Sequence, residues 1–205
     1  MDVDDFHNRL RDLYLPPADR FTMVEVPAIR FAVIDGHGNP QDDEGAAAAR
    51  WLYSVAHLVK PLVRERMGKT FVDPPLECLL WVDEMSDLAD GNRDNWHWRM
   101  MLVFIDWITP EKFEEAVAKA AAKRGPAPAS LRLAQLYEGT SVQIMHVGDY
   151  SGVAALCARL YNEFLPQNGL RPNGAYHEIY LNDPARTAPN KRRLVIRQPV
   201  TTEFS

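Results

Sequence analysis

Tyr176, Glu178 and Tyr180 alternate with His177, Ile179 and Leu181 near the end of this chain of 205 residues. Aromatic and branched residues at period two predict a β-strand over 176–181. The pleat then sends the two tyrosines and the glutamate to one face, and His177, Ile179 and Leu181 to the other. A carboxylate between two phenol rings suits a ligand cavity, where it can hold a cation or polarise a bond docked against the rings. The plainer alternative is a half-buried edge strand whose glutamate faces water.

A second strand is predicted over Trp96–Trp107, with Trp96, Trp98, Met100, Leu102 and Phe104 on one face and His97, Arg99, Met101, Val103 and Ile105 on the other. Two tryptophans two positions apart form either a stacking wall for a flat ligand or part of a tryptophan-rich core. Tyr53, Trp81 and Tyr137 are further aromatic candidates, Tyr137 for the mouth of a cleft. His146 and His177 sit on predicted strands and are expected to be structural, His177 pointing away from Glu178. No Ser-His-Asp or Cys-His order has a supporting context, so a covalent nucleophile is not expected. No His, Cys and carboxylate spacing marks a metal site, and no cofactor is expected. Cys78 and Cys157 lie in apolar runs and read as small buried hydrophobes.

The elements that must carry these residues follow from periodicity and punctuation. A polar lead-in over 1–20 has a short amphipathic piece (Phe6, Leu10, Leu13) stopped by Pro16-Pro17. Strands are predicted over 21–26 and 29–34, followed by turn chemistry from Asp35 to Pro40. Its GxG lacks the third glycine of a dinucleotide loop. Glu44–Lys60 predicts a helix with Trp51, Val55, Leu58, Val59 and Leu62 on its inner stripe, kinked or ended by Pro61. A strand over 76–82 leads to an acidic surface loop (Asp83, Glu84, Asp87, Asp90, Asp94) that lacks the ligand order of a calcium loop. Thr109-Pro110-Glu111 starts a helix running to about Lys123. Segments 131–137 and 141–147 predict a strand pair around Glu138-Gly139. A turn from Gly148 to Gly152 leads into a helix over 153–164, closed by Asn168-Gly169. A polar loop over 182–190 (with Arg186) ties the 176–181 strand to a last strand over 194–200.

The composition is ordinary for a globular chain, 46% apolar and 25% charged. With 28 acidic residues against 23 basic ones it argues against a direct nucleic-acid surface. No window approaches a membrane span, and the acidic start Met1-Asp2-Val3-Asp4-Asp5 is unlike a leader. A cytoplasmic location is therefore expected. The element order repeats: a β-α-β-β unit starting at Phe31 is followed by another starting at Gln143. The period is about a hundred residues, which suits paired half-domains with a ligand cleft between them.

Several stretches together resemble the GyrI-like small-molecule-binding family. They are Val142-Gln143-Ile144-Met145-His146-Val147-Gly148, His177-Glu178-Ile179-Tyr180-Leu181-Asn182-Asp183-Pro184, Arg186-Thr187-Ala188-Pro189 and Val195-Ile196-Arg197-Gln198-Pro199-Val200. Upstream, Val33-Ile34-Asp35-Gly36-His37-Gly38, Leu52-Tyr53-Ser54-Val55-Ala56 and Trp98-Arg99-Met100-Met101 resemble its stand-alone branch. The resemblance implies an α+β fold of pseudo-twofold β-α-β-β modules (SHS2-type), with antiparallel sheet and a central ligand cleft. One domain is expected over 21–205, its half-modules at about 21–125 and 130–205. It implies a cleft glutamate surrounded by aromatics, at the position of Glu178, that binds bulky planar, often cationic, aromatic compounds in multidrug binding or detoxification. The candidate walls in this sequence are Tyr176, Tyr180, Trp98, Trp96, Tyr53, Trp81 and Tyr137, with core packing as the alternative. Stand-alone members resembling this chain are implied to hydrolyse the cyclopropane of DNA-alkylating natural products, giving resistance. Glu178 and Tyr180 would then be catalytic. A third implied role is a sensor for a separate transcription regulator, since the lead-in is too short for a helix-turn-helix module. The expected partner is a small aromatic molecule, with neither membrane nor direct nucleic-acid contact.

Overall fold

The computed structural model describes residues 11–67, 74–83 and 93–202. Phe6 and Leu10 of the lead-in, and Glu84, Asp87 and Asp90 of the acidic loop, lie outside the described residues. The fold is α+β, and the chain divides into two compact units, Ile29–Leu136 and the pair Met1–Ala28 with Tyr137–Ser205.

In chain order the strands are β1 (Thr22–Val26), β2 (Ile29–His37), β3 (Leu76–Trp81), β4 (His97–Val103), β5 (Arg132–Leu136), β6 (Gly139–Val147), β7 (Leu170–Pro172), β8 (Tyr176–Tyr180) and β9 (Arg193–Thr202). The helices are α1 (Asp43–Met67), α2 (Pro110–Arg124) and α3 (Val153–Arg159). In the Ile29–Leu136 unit, antiparallel pairing gives the order β3-β4-β2-β5. In the other unit it gives β8-β9-β6-β1, with β7 on the far end of β9. The two orders correspond strand for strand, as the repeated element order implies. The edge strands are exchanged: β1 leads into β2 but pairs with β6, whereas β5 leads into β6 but pairs with β2. Glu138-Gly139 is therefore not the tip of a hairpin, correcting the predicted strand pair. Each flanking strand finds its hydrogen bonds elsewhere.

Three further boundaries differ from expectation. Helix α1 continues through Pro61 to Met67. Proline removes one backbone donor, but Val59 and Val63 on either side are buried, and that burial outweighs the single lost bond. The inner stripe there follows Val55, Val59 and Val63, leaving Leu62 exposed. Strand β4 ends at Val103, short of Trp107. Strand β2 runs on through Asp35, Gly36 and His37 instead of turning. Asp35 stays in the sheet because it faces Arg99 across the ladder, with Arg99 Nε at 2.5 Å and Arg132 Nη2 at 2.7 Å from its oxygens. Burial raises the Asp35 carboxyl, yet the bonds from Arg99 and Arg132 hold it below its usual range. Gly36 is there for space: a Cβ would lie 2.0 Å from the Trp98 ring. Helix α2 has its predicted Thr109 cap, which accepts from Lys112 N.

The unit holding β8 is built around Val142, Ile144, Leu160, Leu165, Leu194, Ile196 and Val200, covered by α3. Past Arg159 the helix takes a π turn, Leu160–Phe164, before a last α turn, Leu165–Gln167. Pro166 has no N–H to offer the carbonyl four residues back, so the ladder shifts there, with Leu165 N bonding to Leu160 O.

On the opposite face of this sheet lies a buried polar row. Gln143, Arg197 and His177 are side by side on three neighbouring strands. Glu138 closes the row, with His177 Nδ1 at 2.9 Å and Arg197 Nη1 at 3.0 Å from its carboxylate. Arg197 also donates to Gln143 Oε1 at 3.1 Å and to Leu13 O at 2.6 Å, which ties the lead-in to the sheet. Burial alone would raise the Glu138 carboxyl, but the His177 and Arg197 charges and hydrogen bonds prevail and hold it at about 2.

Gly36→Ala should lower stability by about 1–3 kcal/mol, because the added methyl overpacks against Trp98. Urea unfolding checks this, and an unchanged midpoint would show that the ring yields freely. Glu138 has a depressed folded value, so its contribution is complete above about pH 5 and drains away as the pH falls towards 2. Over that window wild type should lose about 3 kcal/mol more than Glu138→Gln does. Parallel stability-against-pH curves for the two would contradict the ion cluster.

Candidate functional site

Strand β8 presents Tyr176, Glu178 and Tyr180 on one half-buried face and buries His177 and Ile179 on the other. The register makes this unavoidable. Glu178 stands opposite Ile196, which stands opposite Ile144, and both isoleucines belong to the core beneath α3. His177 falls in the adjacent row with Arg197 and Gln143 and faces away. A shift of one residue would exchange the two environments.

On the α3 side, both oxygens of Glu178 are engaged by the neighbouring rings. Tyr176 Oη donates to Oε1 at 3.1 Å, and Tyr180 Oη donates to Oε2. Among the described residues no arginine, lysine or histidine pairs with Glu178. Its partners are therefore phenols, whose O–H groups make charge-assisted bonds to a carboxylate. Cys157 of α3 donates from Sγ to Tyr176 Oη at 3.5 Å, extending the chain of hydrogen bonds into the helix. Burial, and then the Glu178 charge, keep the Tyr176 hydroxyl protonated well above the usual phenol range. Burial also pushes up the Cys157 thiol. Neither is poised as a nucleophile.

The turn before α3 adds a residue that the sequence reading passed over. Tyr150 meets Tyr180 edge to face, with ring centroids 6.0 Å apart. The Arg192 guanidinium lies over its ring, 5.3 Å from the centroid. Burial, and more weakly the Glu178 charge, raise the Tyr150 phenol. In sequence Tyr150 stands within Gly148-Asp149-Tyr150-Ser151-Gly152, where the turn residues mask it. A phenol at such a turn, opposite an alternating aromatic strand, is the signal that was available.

Trp98, Trp96, Tyr53 and Trp81 all belong to the Ile29–Leu136 unit. Trp98 is fully buried against Gly36. Trp96 is half-buried, with the Arg93 guanidinium 5.2 Å from its ring centroid. Trp81 is half-buried and stacks on His97 at 5.7 Å. Tyr53 is half-buried beside His57. Tyr137 is 69% exposed. His146 bonds the Asp149 carbonyl at 2.7 Å and so fixes the turn that carries Tyr150. Both cysteines are free thiols. Among the described residues no group of three or more His, Cys, Asp or Glu is placed to hold a metal ion, and no helix is long and apolar enough to cross a membrane.

Comparison with known proteins gives the fold a lineage. No curated protein matches the chain. An uncharacterized conserved protein from Listeria innocua is 33% identical, with a TM-score of 0.82 over 96% of this chain and 98% of that one. A hydrolase from Listeria innocua is 32% identical, with a TM-score of 0.77 over the same shares. The EcmrR C-terminal domain shares the fold alone, at 10% identity and a TM-score of 0.60, over 89% of this chain and 98% of that one. The model of the GyrI-like small molecule binding domain matches residues 20–200, nearly the whole chain and all of β8 with its tyrosines. With that match, and with relatives a third identical over their full length, the chain belongs to the GyrI-like small molecule binding domain family.

Proposed function

We infer that this chain binds flat aromatic molecules, cationic ones above all, against Glu178, with Tyr176 and Tyr180 as its aromatic surroundings. One observation carries the reading: a carboxylate bonded by two phenols, with no protein cation paired to it among the described residues. A ligand cation supplies the missing positive charge, and the ring faces add attraction of about 0.5–2 kcal/mol. The ligand's flat apolar body displaces water from the half-buried tyrosines. Binding of such compounds amounts to sequestration, a simple form of multidrug protection.

A second reading concerns turnover, and the same hydrogen-bonded set favours it. Glu178 and a phenol on either side form a base and an acid on one strand, and a relative 32% identical is described as a hydrolase. In a cyclopropane conjugated to a carbonyl, water attacks a ring carbon and the strained C–C bond breaks. Its electron pair passes into the conjugated system, towards the carbonyl oxygen. Glu178 accepts a proton from water, while Tyr180 donates one to the developing oxyanion. The sum is addition of one water molecule, with ring strain assisting and the tyrosine rings supplying orientation. Consuming the electrophilic ring disarms a DNA-alkylating compound.

Glu178→Gln keeps the shape and removes the charge. It should weaken binding of a fluorescent aromatic cation about tenfold or more, as read by titration. Equal affinity for both proteins would end the electrostatic reading. For turnover, product formed from a cyclopropane-bearing alkylator should fall about a hundredfold in Glu178→Gln and about tenfold or more in Tyr180→Phe. Binding without product by wild type leaves a sequestering protein. Unchanged turnover in Glu178→Gln moves the chemistry away from this carboxylate.

A further inference from the structure

Two phenols bond Glu178 and a third, Tyr150, stands against one of them, but the three are not equivalent. Tyr176 and Tyr180 direct their O–H groups at the carboxylate. Tyr150 does not. Its hydroxyl oxygen is buried, and no hydrogen-bond acceptor for it stands among the described residues. Its ring is contacted by Tyr180 at 6.0 Å and by the Arg192 guanidinium at 5.3 Å. The backbone beneath it is fixed as well. Asp149 caps the turn by accepting from Ser151 N at 2.9 Å, and Gly148 N donates to Arg192 O at 2.9 Å. Arg192 is itself anchored by donating to Pro184 O at 3.0 Å.

A buried donor without an acceptor is rare in native proteins, because it loses its bond to water and gains nothing in exchange. Where such a donor stands beside a binding carboxylate, a group from outside the folded chain can complete it. The cation above the Tyr150 ring draws electron density from the phenol and makes its O–H a better donor. The position beside Tyr180 and within the field of Glu178 puts that donor at the candidate site.

The geometry points to Tyr150 as the residue that donates a hydrogen bond to an oxygen acceptor on the ligand. The favoured ligand class is thus narrower than flat aromatic cations. It is planar aromatic compounds bearing a carbonyl or similar oxygen, which Tyr150 holds while Glu178 receives their electron-poor part. The assignment deepens the binding reading of Glu178 and rests on it. For the hydrolytic reading, Tyr150 is a positioning donor: it holds the conjugated carbonyl of the substrate in place, beside the Tyr180 hydroxyl that protonates the developing oxyanion.

Two probes of one shape separate the roles: N-methylacridinium, a cation with no oxygen acceptor, and N-methylacridone, neutral with a carbonyl. Both are titrated by fluorescence into wild type, Tyr150→Phe and Glu178→Gln. Tyr150→Phe should weaken acridone binding about tenfold and leave acridinium within about twofold, which also proves the variant folded. Glu178→Gln should do the reverse. The melting temperature of Tyr150→Phe should equal or exceed that of wild type, since the lost hydroxyl has no partner in the protein. Unchanged acridone affinity, equal weakening of both probes, a lowered melting temperature, or wild type binding acridinium but not acridone would each overturn the assignment while leaving the Glu178 reading intact. Wild type binding neither probe would end both.

Discussion

The two-residue repeat of one short strand governs this site. Strand β8 carries one carboxylate, Glu178, and beside it His177, which reaches a second carboxylate behind the sheet, and only the pleat keeps the two apart. On one face Glu178 is bonded by phenols beneath α3. On the other, His177 meets Glu138, which also takes Arg197. The first carboxylate has no protein cation beside it among the described residues. The second has a full guanidinium and an imidazole. A structural carboxylate is satisfied by the protein's own charges, whereas a binding carboxylate is left with neutral donors that hold it in place without neutralising it. That contrast, between the two faces of a single sheet, is what the proposed binding role of Glu178 rests on.

The surrounding elements serve this arrangement. The row Gln143, Arg197 and His177 locks β6, β9 and β8 in one register and ties the lead-in to it through Leu13. On the other face, Ile196 and Ile144 form the floor on which the Glu178 row rests. The π turn of α3 lets the helix continue past Arg159 while Tyr161 bonds Gln198 at 2.6 Å. His146 and Arg192 hold the turn of Tyr150. Support of this kind is what lets two hydroxyls stay on one carboxylate, the preorganisation that the proposed binding needs.

Much of this was legible in the sequence because it is local. Alternation placed Tyr176, Glu178 and Tyr180 on one face and turned His177 away. Thr109-Pro110 marked the start of α2, and Asn168-Gly169 a helix end, with Gly169 at a φ of +62°. What stayed hidden depends on distant partners. Glu138 looks like a hairpin residue until Arg197 and His177 arrive from far along the chain. Gly36 looks like a turn residue until Trp98 is seen filling its missing side chain. Pro61 looks like a stop because its cost is local, while the burial of Val59 and Val63 that overrides it is tertiary. The exchange of β1 and β5 leaves no mark in any one segment, since each edge strand carries the same alternating pattern whichever sheet receives it.

The central claim is that Glu178 and its phenols are where a ligand sits. Diffraction from crystals soaked with a brominated planar aromatic cation locates the ligand without reference to affinity or activity. The account predicts an anomalous bromine peak beside β8, with the cationic group within about 6 Å of the Glu178 carboxylate or the rings of its tyrosines. A ligand ordered elsewhere, with the Tyr176 and Tyr180 bonds to Glu178 undisturbed and nothing bound against them, would contradict it.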